Sequence, residues 1–232
     1  MKIFVTGGKG FVAQHLIPRL ESLRNTVVAD WRYWHDRYDL IIHLAAITHI
    51  KTEFDPKLIE SNFILTNEVF KRSEKIIFAS SCSARHNTNP YATSKIWAEY
   101  LGQKHGNATG LRFFNIFGRG NNKGIVKFLM DKPDGSRISI RGPELIRDYI
   151  HVSDIVNFIV KSDTLPCGVH DVGTGAGTRT IDLVNLFMEI SGKKFHLDFL
   201  PPGGNEPLSM ISDNIVPAMS LRQGLEKTIM NA

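Results

Sequence analysis

The chain has 232 residues, of which 42% are hydrophobic and 22% charged, and these ordinary values argue against disorder or a fibrous repeat. No apolar run is as long as a membrane span and no hydrophobic leader precedes the first strand-like segment, so we expect a cytoplasmic protein without a membrane partner. Cys82 and Cys167 form no metal-binding spacing, and we expect no metal. The net charge of +5 comes from dispersed lysines and arginines, which argues against nucleic acid as a partner.

Strand-like and helix-like segments alternate along the first half of the chain. Hydrophobic runs predict strands at 2–6, 26–30, 40–45, 75–80 and 109–113. Helical periodicity and capping signals such as Asp55-Pro56 predict helices at 10–23, 56–71 and 90–105. This alternation is typical of right-handed β-α-β crossovers, so the predicted fold class is α/β, a doubly wound parallel sheet of the Rossmann type.

The pattern becomes less regular after Asn115. We predict helices at 125–130, 153–161 and 180–191 and short strands at 137–140, 168–172 and 195–199. Glycine and proline predict a loop at 201–207. We therefore expect a dinucleotide-binding Rossmann domain formed by residues 1–114 and 143–173, and a small C-terminal substrate-binding lobe formed by residues 115–142 and 174–232.

The turn between the first predicted strand and helix is rich in glycine. Glycines let a backbone turn sharply and approach a pyrophosphate, whose charge meets the N-terminus of the helix. A tight strand–helix turn alone would also use glycine, but its place at the start of a β-α-β unit favours a dinucleotide. The candidate cofactor-binding residues of this turn are Gly7, Gly8, Lys9, Gly10, Phe11 and Val12.

Asp30 ends the second predicted strand. A carboxylate there can accept hydrogen bonds from the adenosine ribose and would repel a 2′-phosphate, which favours NAD. Arg32 could instead bind such a phosphate, so NADP remains possible, and Asp30 could also be an ordinary turn residue. We take Asp30, Trp31 and Arg32 as candidate cofactor contacts.

Tyr91 and Lys95 have the spacing of neighbours on one helix face. An ammonium group close to a phenol lowers the phenol's pKa by stabilising the phenolate. We therefore expect Tyr91 to act as an acid/base near neutral pH. The same spacing also occurs by chance as a surface helix pair.

With these motifs, the sequence resembles the extended short-chain dehydrogenase/reductases, particularly the NAD-dependent epimerase/dehydratase family typified by UDP-glucose 4-epimerase. The resemblance covers nearly the whole chain. Besides the glycine turn and the Tyr91/Lys95 pair, the stretches that carry it, in this order, are 43–46, 80–83, 111–118, 147–152 and 168–174.

The resemblance implies a role for each matching residue. Tyr91 would be the catalytic acid/base, Lys95 would hold the nicotinamide ribose, and Ser81 would hydrogen-bond the reacting sugar oxygen. The other implied contacts are Leu44, Ala45, Ala46, Asn62 and Ser80 for the cofactor, and Ser83, Asn115 and Arg147, with Ser81, for the substrate. The alternative for each polar residue is a hydrogen bond inside the fold, and it is serious for Asn62.

The position of the catalytic serine is left open by the run of serines. Counting from Phe78 selects Ser81. The Ser-Ser-Cys spelling resembles GDP-fucose synthase and would select Ser80.

The sequence departs from the family in its short connections. The family places a helix and a strand between Asp30 and the His43 motif, so the outer strand and part of the adenine wall must be missing here. Trp31, Tyr33 and Trp34 either cap the edge of the sheet or stack on adenine in place of that wall. The loop at 83–90 is short, and the loop at 201–206 lacks an arginine often found beside the second phosphate, so the substrate would be less enclosed.

The expected function is that of an NAD(P)-dependent epimerase that acts on a nucleotide sugar through a transient keto intermediate, with NAD as the cofactor. A 4,6-dehydratase would need an acidic pair where Cys82 and Ser83 stand, which argues against it. A keto-sugar reductase/epimerase like GDP-fucose synthase and a non-catalytic dinucleotide-sensing protein stay open.

The resemblance also implies a homodimer. In related enzymes the helices that correspond to 56–71 and 90–105 pair across a two-fold axis as a four-helix bundle. The side chains that would supply the contact are Ile59, Phe63, Val69, Ile96 and Tyr100. The alternative is that the same residues pack on the sheet.

Overall fold

The computed structural model describes residues 1–48, 55–204 and 206–230, and the fold is reported for those residues; residue 205, in the loop predicted at 201–207, lies outside them. The chain divides into two compact units, Met1–Phe113 with Val156–Asp171 and Phe114–Ile155 with Val172–Ala232. Residues 143–155, which we expected in the nucleotide-binding domain, belong to the second unit. They do so because the strand Ile146–His151 pairs with strands of that unit.

The first unit alternates strands and helices, as the sequence predicts. Its strands up to Phe113 are β1 (Lys2–Thr6), β2 (Thr26–Val28), β3 (Leu40–His43), β4 (Ile76–Ser81) and β5 (Ala108–Phe113). Its helices in the same part are α1 (Phe11–Ser22), α2 (Pro56–Leu58), α3 (Leu65–Phe70) and α4 (Pro90–His105). A π-helical segment, Ile59–Ile64, joins α2 to α3, and 3-10 turns lie at Trp31–Tyr33 and Cys82–Arg85.

Shorter elements follow Phe113. In chain order they are β6 (Asn115–Phe117), α5 (Ile125–Asp131), β7 (Arg137–Arg141), β8 (Ile146–His151), α6 (Val152–Lys161), a 3-10 turn (Ser162–Thr164), β9 (Gly168–Val172), β10 (Gly177–Arg179), α7 (Thr180–Ser191), β11 (His196–Leu200), β12 (Ser209–Met210) and α8 (Leu221–Met230).

The sheet of the first unit has the order β2-β1-β3-β4-β5-β9, and β1 to β5 pair in parallel. The chain moves to one side from β1 to β2 and to the other side at β3. The carboxyl ends of β1 and β3 therefore border the switch point where doubly wound sheets bind ligands. This order confirms the predicted fold class.

The outer strand expected to be missing is absent from the described residues. In that part of the chain, β2 is the terminal strand, and the connection from β2 to β3 contains only the 3-10 turn Trp31–Tyr33. Three aromatic rings from this connection surround the fully buried Phe4 of β1. The ring centroids of Trp31, Trp34 and Tyr38 lie 5.6, 5.3 and 5.0 Å from that of Phe4. The connection thus covers part of the sheet with aromatic side chains.

The helix surface predicted for a dimer contact is partly buried in the core. Val69 is 0% exposed and packs with Phe4 and Ile41, so its assignment to a free helix surface is wrong. Its helix lies on the sheet, and an aliphatic side chain on the inner face is removed from water. Ile59 and Tyr100, in contrast, are exposed.

The second unit is organised around β8. β6 and β12 pair with β8 in parallel and β10 pairs with it antiparallel, while β7 and β11 form a separate parallel pair. Its buried apolar core includes Phe117, Leu129, Ile140, Leu183, Phe187 and Leu225.

We did not predict β6, β8, β10, β12 or α8. β8 carries Arg147, Asp148 and His151, which are all buried, so its sequence does not read as a hydrophobic strand. α8 is mostly polar and contains Gly224. A Cβ at Gly224 would lie 2.6 Å from the ring of Phe117, so glycine allows close packing where sequence rules expect a helix breaker.

Candidate active site

The glycine turn brings the end of β1 close to the residues after β3. Gly7 has a φ of +71°, and a Cβ there would lie 2.8 Å from the backbone nitrogen of Ala45. A Cβ at Gly8 would lie 2.6 Å from that of Ala29. The Gly10 amide donates to the Gly7 carbonyl over 2.7 Å. Only glycine fits the first two positions.

The N-terminus of α1 has no protein cap. Gly10 stands at the N-cap position, where no side chain accepts from the first amides, and the first turn contains no acidic residue. Helix N-termini present unpaired N–H groups and a positive dipole end. Lys9 is exposed, and Phe11 and Val12 are half-buried. The arrangement of the four predicted contacts at this helix start, Lys9, Gly10, Phe11 and Val12, suits a phosphate group.

Asp30 holds the turn that follows β2. Its carboxylate accepts from the Arg32 backbone amide at 2.9 Å and from the Arg32 side chain, with Nε at 2.8 Å and Nη2 at 2.6 Å. These hydrogen bonds lower the pKa of Asp30. The structure thus pairs the two residues that we weighed as opposing determinants of cofactor choice. Trp31, between them, is 42% exposed.

A buried network supports the backbone after β3. Thr6 Oγ1 accepts from the amides of Leu44 at 3.1 Å and Ala45 at 3.0 Å, so its own hydrogen is directed to His43 Nδ1 at 2.8 Å. His43 Nε2 then donates to Thr66 Oγ1 at 3.0 Å. The network fixes the loop that carries three predicted cofactor contacts, the half-buried Leu44, Ala45 and Ala46.

Asn62 lies in the π-helical segment and is 3% exposed. Its Oδ1 accepts from the Ile47 amide and its Nδ2 donates to the Ile47 carbonyl, both over 2.8 Å. Nδ2 also donates to Ser94 Oγ over 3.1 Å. Since both amide hydrogens are used inside the protein, this geometry favours the structural alternative over a cofactor contact.

The two serines at the end of β4 have different partners. Ser80 Oγ donates to Glu99 Oε1 of α4 over 2.5 Å. Ser81 Oγ hydrogen-bonds the phenol of Tyr91 and accepts from the Ser83 amide at 3.2 Å. The structure therefore brings Ser81, and not Ser80, to the candidate acid/base. Ser83 follows in the adjoining 3-10 turn.

Tyr91 and Lys95 lie on the first two turns of α4. Asn89 caps this helix by accepting from the Ala92 amide at 2.9 Å, and proline occupies the first helical position. Lys95 Nζ lies 5.7 Å from the centroid of the Tyr91 ring and donates to the Ala79 carbonyl over 2.8 Å. The predicted i, i+4 neighbours thus face β4.

The pKa of Tyr91 differs from the expected direction. Burial raises it to about 12, and the Cys82 thiol contributes, while the hydrogen bond with Ser81 acts in the opposite direction. The Lys95 ammonium, which we expected to lower this pKa, is directed to a backbone carbonyl. Burial, with a contribution from the Lys95 charge, lowers the pKa of His43 to about 3, so this imidazole is neutral near pH 7.

In the second unit, the predicted phosphate-binding arginine has an acidic partner. Arg147 is 7% exposed, and its Nη2 lies 2.8 Å from Glu206 Oε1. Its Nη1 donates to the carbonyls of Ile146 at 2.8 Å and Leu208 at 3.4 Å. The loop at 201–206, which lacks the family's arginine, supplies a carboxylate to Arg147 instead.

Asp148 is a buried hydrogen-bond hub beside Arg147 that sequence reasoning missed. It is 0% exposed and accepts from the Thr174 amide and hydroxyl and from the amides of Gly175 and Ser212, at 2.6 to 3.2 Å. Asn115 Nδ2 donates to the Asp148 carbonyl over 2.9 Å. A lone aspartate inside a strand gives no sequence signal of such a hub, although it stands next to Arg147 in the recognised motif.

The described residues contain neither a candidate metal site nor a candidate membrane-spanning helix. No group of three His, Cys, Asp or Glu side chains there could hold a metal ion. No helix in the same residues is long and apolar enough to cross a membrane.

Known proteins resemble this chain over most of its length. The chain is 24% identical over 295 aligned positions to a UDP-glucose 4-epimerase of Cyamopsis tetragonoloba, covering 86% of this chain and 83% of the relative. It is 23% identical to the UDP-glucose 4-epimerase of Yersinia enterocolitica, covering 86% and 85%.

Two solved structures share the fold. The UDP-glucose 4-epimerase of Thermus thermophilus in complex with NAD has a TM-score of 0.85 and 21% identity, covering 99% of this chain and 98% of that chain. The UDP-glucuronic acid 4-epimerase of Bacillus cereus in complex with UDP-glucuronic acid and NAD has a TM-score of 0.82 and 20% identity, with the same coverage.

The model of the NAD dependent epimerase/dehydratase family matches residues 29–162, more than half of the chain. This match includes β3, β4 and α4, and it confirms the family predicted from the motifs. The chain belongs to the NAD-dependent epimerase/dehydratase family.

Proposed function

We propose that this protein is an NAD-dependent UDP-sugar 4-epimerase, with Tyr91 as the acid/base. The observation that carries the proposal is the group of Ser81, Tyr91 and Lys95, which the ends of β4 and α4 hold together. The relatives that the chain matches over most of its length are named UDP-glucose 4-epimerases, which supports the substrate class.

The residues of the first unit fit NAD. The turn at Gly7 and Gly8 excludes side chains, and the N-terminus of α1 offers uncapped amides to a pyrophosphate. Asp30 retains acceptor capacity for ribose hydroxyls, since a carboxylate offers about four lone-pair sites. We propose NAD as the cofactor, because the Asp30 carboxylate would repel a 2′-phosphate. Its pairing with Arg32 weakens this repulsion, so we propose NADP as a weaker ligand.

The chemistry of the chain's own residues follows from their positions. Bound NAD⁺ supplies the hydride acceptor for oxidation of the sugar and the donor for its re-reduction. Tyr91, as phenolate, takes the proton of the sugar hydroxyl while the carbon loses its hydride, and it later returns that proton to the keto oxygen. Ser81 donates a hydrogen bond to the same oxygen, and Lys95 holds this part of α4 against β4 through the Ala79 carbonyl. The carbon would be inverted when hydride returns from the bound cofactor to the other face of the keto-sugar.

Incubation of the purified protein with NAD and UDP-glucose tests the proposal. We expect UDP-galactose to accumulate, as measured by chromatography of the nucleotide sugars. A panel with other UDP- and GDP-sugars identifies the preferred substrate. If the protein binds NAD but converts no sugar of the panel, the epimerase proposal fails and the dinucleotide-sensing alternative gains support.

The keto-sugar reductase/epimerase alternative requires the register in which Ser80 is catalytic. Ser80 is engaged by Glu99, whereas Ser81 contacts Tyr91, and this geometry favours the 4-epimerase. Net consumption of NADPH with a keto-sugar would instead support the alternative.

We also propose a homodimer in the cytoplasm. Ile59, Ile64 and Tyr100 expose apolar or aromatic surface on the helices expected to form the contact, and Phe63 and Ile96 are half-buried there. Neither cysteine is in a disulfide, which fits a reducing compartment. Sedimentation of the parent and of Tyr100→Glu tests the contact. A monomeric parent at micromolar concentration would contradict it.

A further inference from the structure

A chain of polar side chains ties α4 to β4, β5 and β9 in the first unit. Glu99 of α4 accepts from Ser80 of β4, and it also accepts two hydrogen bonds from Arg112 of β5, with Nε at 2.7 Å and Nη2 at 2.6 Å. Arg112 Nη1 lies 3.8 Å from Asp171 of β9. Asp171 also pairs with Arg85, in the 3-10 turn that follows Ser81.

We propose that Glu99, held by Arg112, is a positioning residue that sets where Tyr91 and Lys95 lie against β4. The inference rests on the proposed function, because it assigns Glu99 a role in the same reaction.

The spacing along α4 supports this role. Tyr91, Lys95 and Glu99 follow each other at intervals of four residues, so they share one face of the helix. Each of the three contacts β4 at a neighbouring position, Tyr91 at Ser81, Lys95 at Ala79 and Glu99 at Ser80. A shift or rotation of α4 that breaks one contact therefore changes all three.

The chemistry of the Glu99 contact makes it directional. A bidentate guanidinium–carboxylate pair fixes both distance and plane, whereas apolar packing tolerates sliding. The side chains are only 12% and 26% exposed, so water competes weakly for them. Burying such a pair carries a desolvation cost that hydrophobic residues would avoid, and a gain in unique geometry is a reason to retain it.

The same chain of contacts reaches the segment after Ser81. Arg85 ends that 3-10 turn, and Asp171 links it to Arg112. Both elements that carry the catalytic groups are thus tied to one ion-paired framework. Since misplacement by about 1 Å can cost about 100-fold in rate, we expect a loosened framework to lower turnover.

Glu99→Gln and Arg112→Lys test the proposal, with Glu68→Gln as the matched control. Glu68 pairs with Lys71 on the exposed surface of α3, outside the framework. Gln keeps the shape of Glu99 but loses its charge, and Lys keeps the charge of Arg112 but loses its fork. We expect kcat to fall about 10- to 100-fold in both variants, with the KM for UDP-glucose and the Kd for NAD within a few-fold of the parent.

The pH profile distinguishes positioning from a structural role. If α4 shifts and Tyr91 loses its hydrogen bond with Ser81, which lowers the pKa of Tyr91, that pKa rises and the acidic limb of kcat moves to higher pH. Among the described residues, the titratable groups beside Tyr91 and Lys95 include Cys82, beside Tyr91, and the neutral His43, beside Lys95, and neither belongs to the Glu99–Arg112 pair. The double variant should lose no more than the worse single variant, because the two residues act as one unit.

Two results would overturn the inference. One is an unchanged kcat and pH profile in both variants, and the other is a loss that matches the unfolded fraction measured by circular dichroism. Absorbance titration of the tyrosines, compared with Tyr91→Phe, reports the Tyr91 pKa without turnover. If the parent converts no nucleotide sugar, the proposed function fails, while this titration still decides whether Glu99 positions the pair.

Discussion

The predicted catalytic groups of the first unit and the predicted anion-binding group of the second unit are arranged differently. Ser81, Tyr91 and Lys95 contact each other or the backbone that carries them. Arg147, in contrast, is paired with Glu206 from a loop of its own unit.

The two arrangements suit two different tasks, acid/base catalysis and anion binding. Acid/base groups need a fixed geometry before the reaction, and helix and strand contacts supply it. An arginine that binds a diphosphate can hold another anion until the substrate arrives, provided that the exchange costs little. With Glu206 about 40% exposed, its pair with Arg147 is partly screened by water.

The largest effect on kcat is expected when the proposed acid/base of the first unit, Tyr91, is replaced. Tyr91→Phe removes the phenol oxygen that takes and returns the proton, so kcat should fall on the order of 10²–10⁴-fold while NAD binding stays nearly the same. Tyr100→Phe, on the exposed side of the same helix, is the control. In the parent, kcat should rise with pH, because burial raises the pKa of Tyr91 and only the phenolate accepts the proton. Turnover by Tyr91→Phe within a few-fold of the parent would contradict the assignment.

A second comparison uses the two neighbouring serines of β4. Ser81→Ala removes a donor to the reacting oxygen and should lower kcat on the order of 10²-fold. Ser80→Ala leaves the Glu99–Arg112 pair in place and should have a much smaller effect. Steady-state kinetics of both variants decides the register. A larger loss for Ser80→Ala would favour the reductase/epimerase alternative.

The edge of the first unit beside Asp30 offers a smaller effect. Trp31 and Tyr33 are 42% and 52% exposed, whereas Trp34 is half-buried against Phe4. If Trp31 stacks on adenine, Trp31→Ala should weaken NAD several-fold while the protein stays folded at the assay temperature, since stacking is worth about 1–3 kcal/mol. Trp34→Ala should instead lower Tm.

Calorimetric titration of NAD and NADP measures these affinities. Arg32→Ala should weaken NADP more than NAD, because only NADP carries a 2′-phosphate. If no ring variant changes the affinity for NAD, the aromatic residues of the connection from β2 to β3 serve only to cover the sheet.

The smallest effect is expected in the second unit. Glu206→Gln frees Arg147 of its carboxylate partner, so the KM for the nucleotide sugar should fall about two- to five-fold with kcat unchanged. Glu144→Gln, which removes an exposed partner of Arg179 in the same unit, is the control. A rise in KM would mean that Glu206 holds Arg147 in its binding position instead of competing for it.

Local signals in the sequence predicted most of the first unit and the helix Thr180–Ser191 of the second unit. The helices Pro90–His105 and Thr180–Ser191 begin and end where predicted. Proline at the first position marks the start of the former, and Gly192 marks the end of the latter. The proximity of Tyr91 and Lys95 follows from helix geometry alone.

Contacts between residues distant in sequence could not be read in this way. The choice of Ser81 depends on the direction of two adjacent side chains, and the partner of Arg147 lies 59 positions further along the chain. Glu99 had a usable signal, since it stands four residues after Lys95, but only the fold reveals Arg112 as its partner. The pKa of Tyr91 was misjudged because pairwise spacing carries no information on burial.

The loss of the outer strand has a consequence for solubility. β2, internal in the longer family pattern, is here the terminal strand among the described residues, and an edge strand offers unpaired backbone groups to other chains. β2 has only three residues, Thr26–Val28, so this edge offers few such groups. The connection from β2 to β3 follows directly and contains charged residues, among them Arg32, Asp36 and Arg37. A shortened member of the family thereby avoids a long template for edge-to-edge aggregation.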